Sequence, residues 1–128
     1  MQHNNSANAP LSEQQIVAAL QQLTNPECVP HLMQLRTELL DWNTRVNLTA
    51  ITDPVEVLLK HFLDSLSLLE VYKAEQARVL DIGAGAGFPG LPLKIARSEW
   101  EIVLLEATGK KVNFQRHIIE SLGLQRIE

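Results

Sequence analysis

The sequence predicts an α/β protein in which a small helical unit leads into the opening strands of a parallel sheet. Three observations carry this prediction. Apolar residues recur with helical spacing across the first 77 positions. Two short apolar runs of strand length follow, Val79-Leu80-Asp81-Ile82 and Ile102-Val103-Leu104-Leu105. A glycine-rich turn separates the first run from a helix, so strand, turn and helix succeed one another as in a parallel crossover unit. The expected organisation is a disordered tail over 1–10, a helical unit over 11–77 and the first part of a cofactor-binding α/β domain over 78–128.

Each element has its own signal. Leu11-Ser12-Glu13-Gln14-Gln15-Ile16 reads as a helix start, with Ser12 as cap, Gln15 completing a capping box and Leu11 stapling onto Ile16. Ile16, Ala19, Leu20 and Leu23 then share a face. Beyond Asn25-Pro26 and Pro30, a second amphipathic helix carries Leu32, Leu35, Leu39 and Trp42. A third begins with Asp53 as cap, Pro54 at the first helical position and Glu56 reaching back. It turns Val55, Leu58, Leu59, Phe62, Leu66 and Leu69 inward. The link from Asn43 to Ile51 mixes polar and apolar residues and is expected to hug the body. After the strand at Val79–Ile82 come a helix from Leu91 to Arg97, the strand Ile102–Leu105, a helix capped by Thr108, and Ile127-Glu128 opening a third strand.

Composition limits the function classes. With 128 residues, 45% of them hydrophobic and 20% charged, this is an ordinary globular composition for one domain's worth of chain. The lone Cys28 has no internal disulfide partner, which fits a reducing cytoplasm, and it reads as a small buried hydrophobe. No Cys and His spacing suits a metal. No apolar stretch is long enough to span a bilayer, and the opening Met1-Gln2-His3-Asn4-Asn5-Ser6 lacks the regions of a signal peptide. Residues 1–78 hold 5 Lys and Arg against 9 Asp and Glu, whereas 79–128 hold 6 against 6. Any nucleic-acid contact must therefore come from a local basic patch.

The turn Gly83-Ala84-Gly85-Ala86-Gly87-Phe88-Pro89-Gly90 lets the main chain approach a ligand closely, and a nucleotide-like cofactor is its expected tenant. Register discriminates between cofactors. A dinucleotide fingerprint started directly after the strand fails, because Phe88 stands where the third glycine belongs; a later frame, Gly85, Gly87 and Gly90, has the right spacing but starts two residues late. The pattern Asp81, Gly83, Gly85, Gly87 instead resembles the cofactor loop of class I S-adenosylmethionine-dependent methyltransferases. In that family an acid ending the next strand binds the ribose hydroxyls, a role that Glu106 fits. The plain alternative is an ordinary glycine turn beside a solvated acid.

Two further groups stand out. Lys60, His61, Asp64 and Ser65 cluster at helical spacing, so that Asp64 is placed to orient His61 or raise its pKa, or simply to pair with Lys60. Lys110 and Lys111 fall in the first turn of the last helix, where the dipole disfavours cations by about 0.3–1 kcal/mol each. With Arg116 they are candidates for RNA phosphate beside the cofactor mouth, or lysines reaching into water.

Asn47-Leu48-Thr49, Lys60-His61-Phe62-Leu63-Asp64-Ser65-Leu66, the loop from Asp81 to Gly90 with Leu91-Pro92-Leu93, and Leu105-Glu106-Ala107-Thr108-Gly109-Lys110-Lys111 together resemble the ribosomal RNA small subunit methyltransferase G family, also called glucose-inhibited division protein B. The resemblance runs from about Leu35 to Glu128. It implies a truncated class I, Rossmann-like sheet behind the helical unit, S-adenosylmethionine as cofactor, and methylation of a guanine at nitrogen-7 in small-subunit ribosomal RNA in the cytoplasm, without membrane or metal. It places Asp81, Gly83, Ala84, Gly85, Gly87, Phe88, Glu106 and Thr108 at the cofactor, and Asn47, His61, Asp64, Lys110, Lys111 and Arg116 on the RNA side. The family's sheet has more strands than the two found here, so the chain reads as an N-terminal portion expected to be inactive alone. A nucleotide-dependent oxidoreductase and a non-catalytic interaction module remain the alternatives.

Overall fold

Capping chemistry starts the first helix where the sequence places it. In the computed structural model, which describes residues 10–128, the Ser12 hydroxyl accepts from the Gln15 amide and the Gln15 side chain accepts from the Ser12 amide at 2.8 Å. Except for Pro10, the expected tail over 1–10 lies outside the described residues. Helix α1, Glu13–Leu23, buries Ile16 and Leu20. Leu11 stays 46% exposed, so the expected staple leaves much of it in solvent. A single 3-10 turn, Pro26–Cys28, leads into α2, Val29–Asn43, which buries Leu32, Leu35 and Leu39 along one stripe. Buried Cys28 donates from Sγ to the Ile95 carbonyl at 3.4 Å.

The third helix departs from the single amphipathic rod expected. Asp53 caps it, its Oδ2 accepting from Val55 and Glu56 at 3.1 and 3.0 Å, with Pro54 first in the helix. The composite α3 over 54–71 then comprises one α-turn at Pro54–Glu56, a π-helical stretch at Val57–Leu63, and α-turns at Asp64–Leu66 and Leu68–Val71. The Ser65 hydroxyl donates to the His61 carbonyl and competes with the backbone ladder at the end of the π stretch. Nothing in apolar periodicity announces such a widening. Its inward face still holds Val57, Leu58, Phe62, Leu66 and Leu69.

Strands β1, Arg78–Ile82, and β2, Glu101–Leu105, pair in parallel with Val79 opposite Ile102 and Asp81 opposite Leu104. The crossover helix α4, Gly90–Ala96, is buried along its whole length because it lies between the sheet and the helical unit, touching α2, α3 and β2. Lys94 is buried there too. Its ammonium donates to the carbonyls of Ser98 at 2.8 Å and Trp100 at 2.5 Å, which ties the end of α4 to the start of β2. Ile127 bridges to Ile102 in parallel, so the far edge of β2 carries the beginning of a third strand.

The last helix, α5, Gly109–Ser121, packs Phe114 edge-on to Trp42 at 5.4 Å, while His117 Nε2 meets Glu38 Oε2 at 3.1 Å. One core therefore runs from Ile16 to Ile127 through both halves. The sheet's two faces are unequal. Asp81, Ile102 and Leu104 are buried, but Leu80, Ile82, Val103 and Leu105 on the opposite face remain 57, 72, 41 and 54% exposed.

Candidate functional site

The glycine turn is built by bonds to its own chain. Gly83 and Ala84 donate to the Leu105 carbonyl at 2.8 and 3.1 Å, Gly87 and Phe88 donate to the Ala84 carbonyl at 2.9 and 3.0 Å, and Gly90 donates to Asp81 Oδ2 at 3.0 Å. These amides are spent on acceptors of the protein's own chain. Asp81 is accordingly a tether. It sits on the buried face, burial pushes its carboxyl up, and the Gly90 amide partly offsets that. A Cβ at Gly90 would run into the Leu104 side chain and come within 3.1 Å of Asp81 Oδ2, so only glycine lets α4 approach the sheet this closely.

Gly85 is held from both sides. Its amide donates to Glu106 Oε1 at 2.8 Å, and its carbonyl accepts from Gln115 Nε2 at 2.6 Å. Gln115, buried on α5, was invisible in the sequence, since nothing local links it to a turn 30 residues earlier. The other Glu106 oxygen accepts from the Thr108 amide at 3.0 Å. These two backbone bonds, Thr108 first and Gly85 second, hold the Glu106 carboxyl below its ordinary value. Thr108 stands at the N-cap of α5 without a side-chain bond to the helix, so the expected hydroxyl cap is not formed, and the Thr108 amide donates to Glu106 instead. Gly85 has φ +62°, and nothing lies within 4 Å of the position a Cβ would take; Gly83 is likewise open, whereas Ala84 and Gly87 are buried.

Phe88 packs against α3. Its ring stacks on His61 at 4.4 Å and 12°, and tilts against Phe62 at 5.8 Å. His61 Nε2 lies 2.9 Å from Thr49 Oγ1, so Thr49 and not Asp64 orients the imidazole. Burial lowers the His61 pKa and outweighs the opposing pull of Asp64. Lys60 pairs with Glu56 at 3.2 Å, not with Asp64. Thr49 is itself placed by Asn43, which donates to its carbonyl at 3.0 Å and accepts from the amides of Leu48 and Thr49 at 2.8 and 3.0 Å. That clamp closes the link and leaves Asn47 exposed on it.

Lys60, His61, Asp64, Leu68, Phe88 and Pro89 line an open groove of about 580 Å³ between α3 and the end of the turn. A second cavity of about 460 Å³ brings Arg116 beside Glu106 and Gln115. Lys110 is exposed, and Lys111 lies near enough to Glu106 to favour its ionised form. At 3.6 residues per turn, Lys110 and Arg116 leave α5 about 120° apart, whereas Lys111 and Arg116 both lie toward Glu106. Among the described residues no group of three His, Cys, Asp or Glu side chains is placed to hold a metal ion, and no helix is long and apolar enough to cross a membrane.

The model of the GidB family, rRNA small subunit methyltransferase G, matches residues 29–128. Curated proteins named ribosomal RNA small subunit methyltransferase G are similar over the same region. The one from Myxococcus xanthus is 58% identical over 99 residues, covering 77% of this chain and 45% of that protein. The one from Desulforamulus reducens is 51% identical over 90 residues, 70% of this chain and 38% of its own length, and the one from Caldanaerobacter subterraneus subsp. tengcongensis 50% over 101 residues, 78% and 42%. The chain thus spans less than half the length of these relatives. The helices and parallel strands fit the class I methyltransferase α/β fold, and with a family match covering most of its length the chain belongs to the rRNA small subunit methyltransferase G family.

Proposed function

We propose that this protein serves the transfer of a methyl group from S-adenosylmethionine to nitrogen-7 of a guanine in small-subunit ribosomal RNA. The observation that carries this reading is the internal bonding of the glycine turn. With the amides of Gly83, Ala84, Gly85, Gly87, Phe88 and Gly90 donating within the chain, the turn keeps few donors with which to bind a pyrophosphate. A nicotinamide dinucleotide needs such amides; a cofactor without phosphate does not. The open space beside Gly83 and Gly85 fits a group laid directly on the main chain.

On this reading Gly83, Ala84 and Gly85 form the floor of the cofactor site, with Thr108 at its border. Each Glu106 oxygen already accepts one amide and keeps a lone pair for a ribose hydroxyl. Asp81, Gly87 and Phe88 act by shaping and walling the turn. When bound, S-adenosylmethionine supplies an electrophilic methyl group. Guanine nitrogen-7 bears a lone pair and no proton, so the residues need to align the base and exclude water, and no general base is required. Asn47, His61 and Asp64 lie on the substrate side, and Lys110, Lys111 and Arg116 reach separate phosphates. The helical unit over 11–77 acts as the RNA-side platform for the cofactor domain beginning at 78, in the cytoplasm. The 128 residues alone are proposed to be inactive in methyl transfer.

Calorimetric titration of the protein with S-adenosylhomocysteine and with a nicotinamide dinucleotide tests the reading. Saturable binding of the first and none of the second is expected. Glu106→Ala should weaken that binding, and an analogue lacking the ribose hydroxyls should bind variant and parent alike. Preference for the dinucleotide would establish the oxidoreductase alternative instead.

A further inference from the structure

Among the described residues an open groove of about 580 Å³ lies beside the glycine turn, lined by Lys60, His61, Asp64, Leu68 and Phe88. At about 580 Å³ it falls within the range of about 300–1,000 Å³ common for small-ligand sites. Its walls differ in chemistry. One is aromatic, where the His61 ring stacks on Phe88 and is hydrogen-bonded to Thr49. Another is apolar, with Leu68 40% exposed at the lip. The third carries Asp64. Among the described residues the Asp64 carboxylate makes no hydrogen bond and no ion pair, because Lys60, one turn away, is engaged by Glu56. The π-helical stretch ending at Leu63 sits just before it, and such widened turns recur at functional sites.

An aromatic wall suits a flat ring, and unpaired bases of RNA are commonly held by stacking on Phe or His. A carboxylate with both oxygens free accepts and cannot donate, so it selects a base that presents two donors side by side. Guanine does so through its N1–H and its exocyclic amine. Adenine, cytosine and uracil do not. Grasping guanine by that edge leaves nitrogen-7 on the opposite side of the ring, free to face the turn that Phe88 joins to the groove.

We infer that this groove is a base-binding subsite in which Asp64 reads the Watson–Crick edge of a guanine whose ring lies along the His61 and Phe88 wall. That the guanine is the methyl acceptor rests on the function proposed above. The subsite itself does not, and the two are separable by experiment. Lys60, although paired, lies at the mouth and is placed to meet a phosphate of the same nucleotide.

The test is an NMR titration of the protein with the 5′-monophosphates of guanosine, inosine and adenosine, reading the ring resonances of His61 and Phe88. Guanosine monophosphate should give saturable shifts and bind about tenfold more tightly than adenosine monophosphate, with inosine monophosphate, which lacks the exocyclic amine, in between. Asp64 is exposed, so Asp64→Asn should leave the melting curve unchanged while bringing the three affinities to within about twofold. Asp64→Glu, which restores the carboxylate, should recover part of the preference. Equal affinities in the parent protein, absence of saturable ring shifts, or a guanine preference that survives Asp64→Asn would overturn the assignment. Titration of the same samples with S-adenosylhomocysteine separates the readings: guanine preference without any binding of that compound leaves the subsite standing and removes the methyl-transfer reading.

Discussion

At the scale of single residues, the turn after β1 is held by partners far away in sequence. Gly85 shows this most directly. A valine there would place a branched side chain at φ +62° in the open space where the cofactor is proposed to lie, so Gly85→Val is expected to abolish S-adenosylhomocysteine binding in a calorimetric titration. Binding within a factor of about two of the parent would defeat the placement of the cofactor on this turn. Glu106 yields a pH prediction. Its folded carboxyl is held below the ordinary value of 4.5 by the Thr108 and Gly85 amides. Its stabilising contribution is therefore complete above that value and is lost as the pH falls through the lower folded one. Hydrogen exchange should find the Gly85 and Thr108 amides protected down to the ordinary carboxylate range and released only below it, whereas Glu106→Gln should remove this acid dependence. The sequence had singled out Glu106 from its place at the end of a strand. It had no means of showing Gln115, because a buried glutamine on an amphipathic helix looks like any other polar position until the turn it serves is folded against it.

At the scale of elements, the surprise is that α3 and the link before it act as one device. Asn43 closes the link with three hydrogen bonds and so sets Thr49 against His61. Asn43→Ala is expected to cost about 1–3 kcal/mol, since it leaves the Leu48 and Thr49 amides without their acceptor. A lowered urea midpoint with faster exchange at those two amides would bear this out; an unchanged midpoint would show the link held by something else. His61 connects the link to Phe88. Its folded pKa is lowered by burial, so the unfolded chain takes up a proton first as the pH falls. The stability this confers is full above the ordinary value of 6.5 and is lost from there down through the lower folded value. Urea midpoints measured between pH 7.5 and 5.5 should fall more steeply in the parent than in His61→Phe, and parallel slopes would speak against a half-buried neutral imidazole. The helix starts at Ser12 and Asp53 were legible because caps are local chemistry. The π-helical stretch was not, since it leaves the apolar pattern intact.

At the scale of the whole molecule, one face of the sheet decides solution behaviour. Leu80, Ile82, Val103 and Leu105 stand largely exposed, and each side chain that stays in water forgoes up to about 1.5–3 kcal/mol of burial. The 128-residue chain is therefore expected to melt broadly and to associate in sedimentation experiments as its concentration rises, with Ile82→Lys reducing that association. A sharp two-state melt from a monomer at all concentrations would contradict this. The fold class, the strand-turn-helix order, the parallel pairing and the family resemblance were all legible in the sequence, because apolar period, caps and glycine spacing are properties of neighbouring residues. What lay beyond it were the roles created when distant segments meet. Folding joined Asp81 to the Gly90 amide, stacked Phe88 on His61, and set Gln115 on Gly85. It left Lys110 apart from Arg116 on α5 and brought Lys111 and Arg116 toward Glu106. The sequence by itself determined which segments become helix, strand and turn, since those choices are made by local backbone energetics; only the tertiary structure decided which polar groups remain free for a ligand, since that depends on which donors and acceptors the packed chain has already joined to one another.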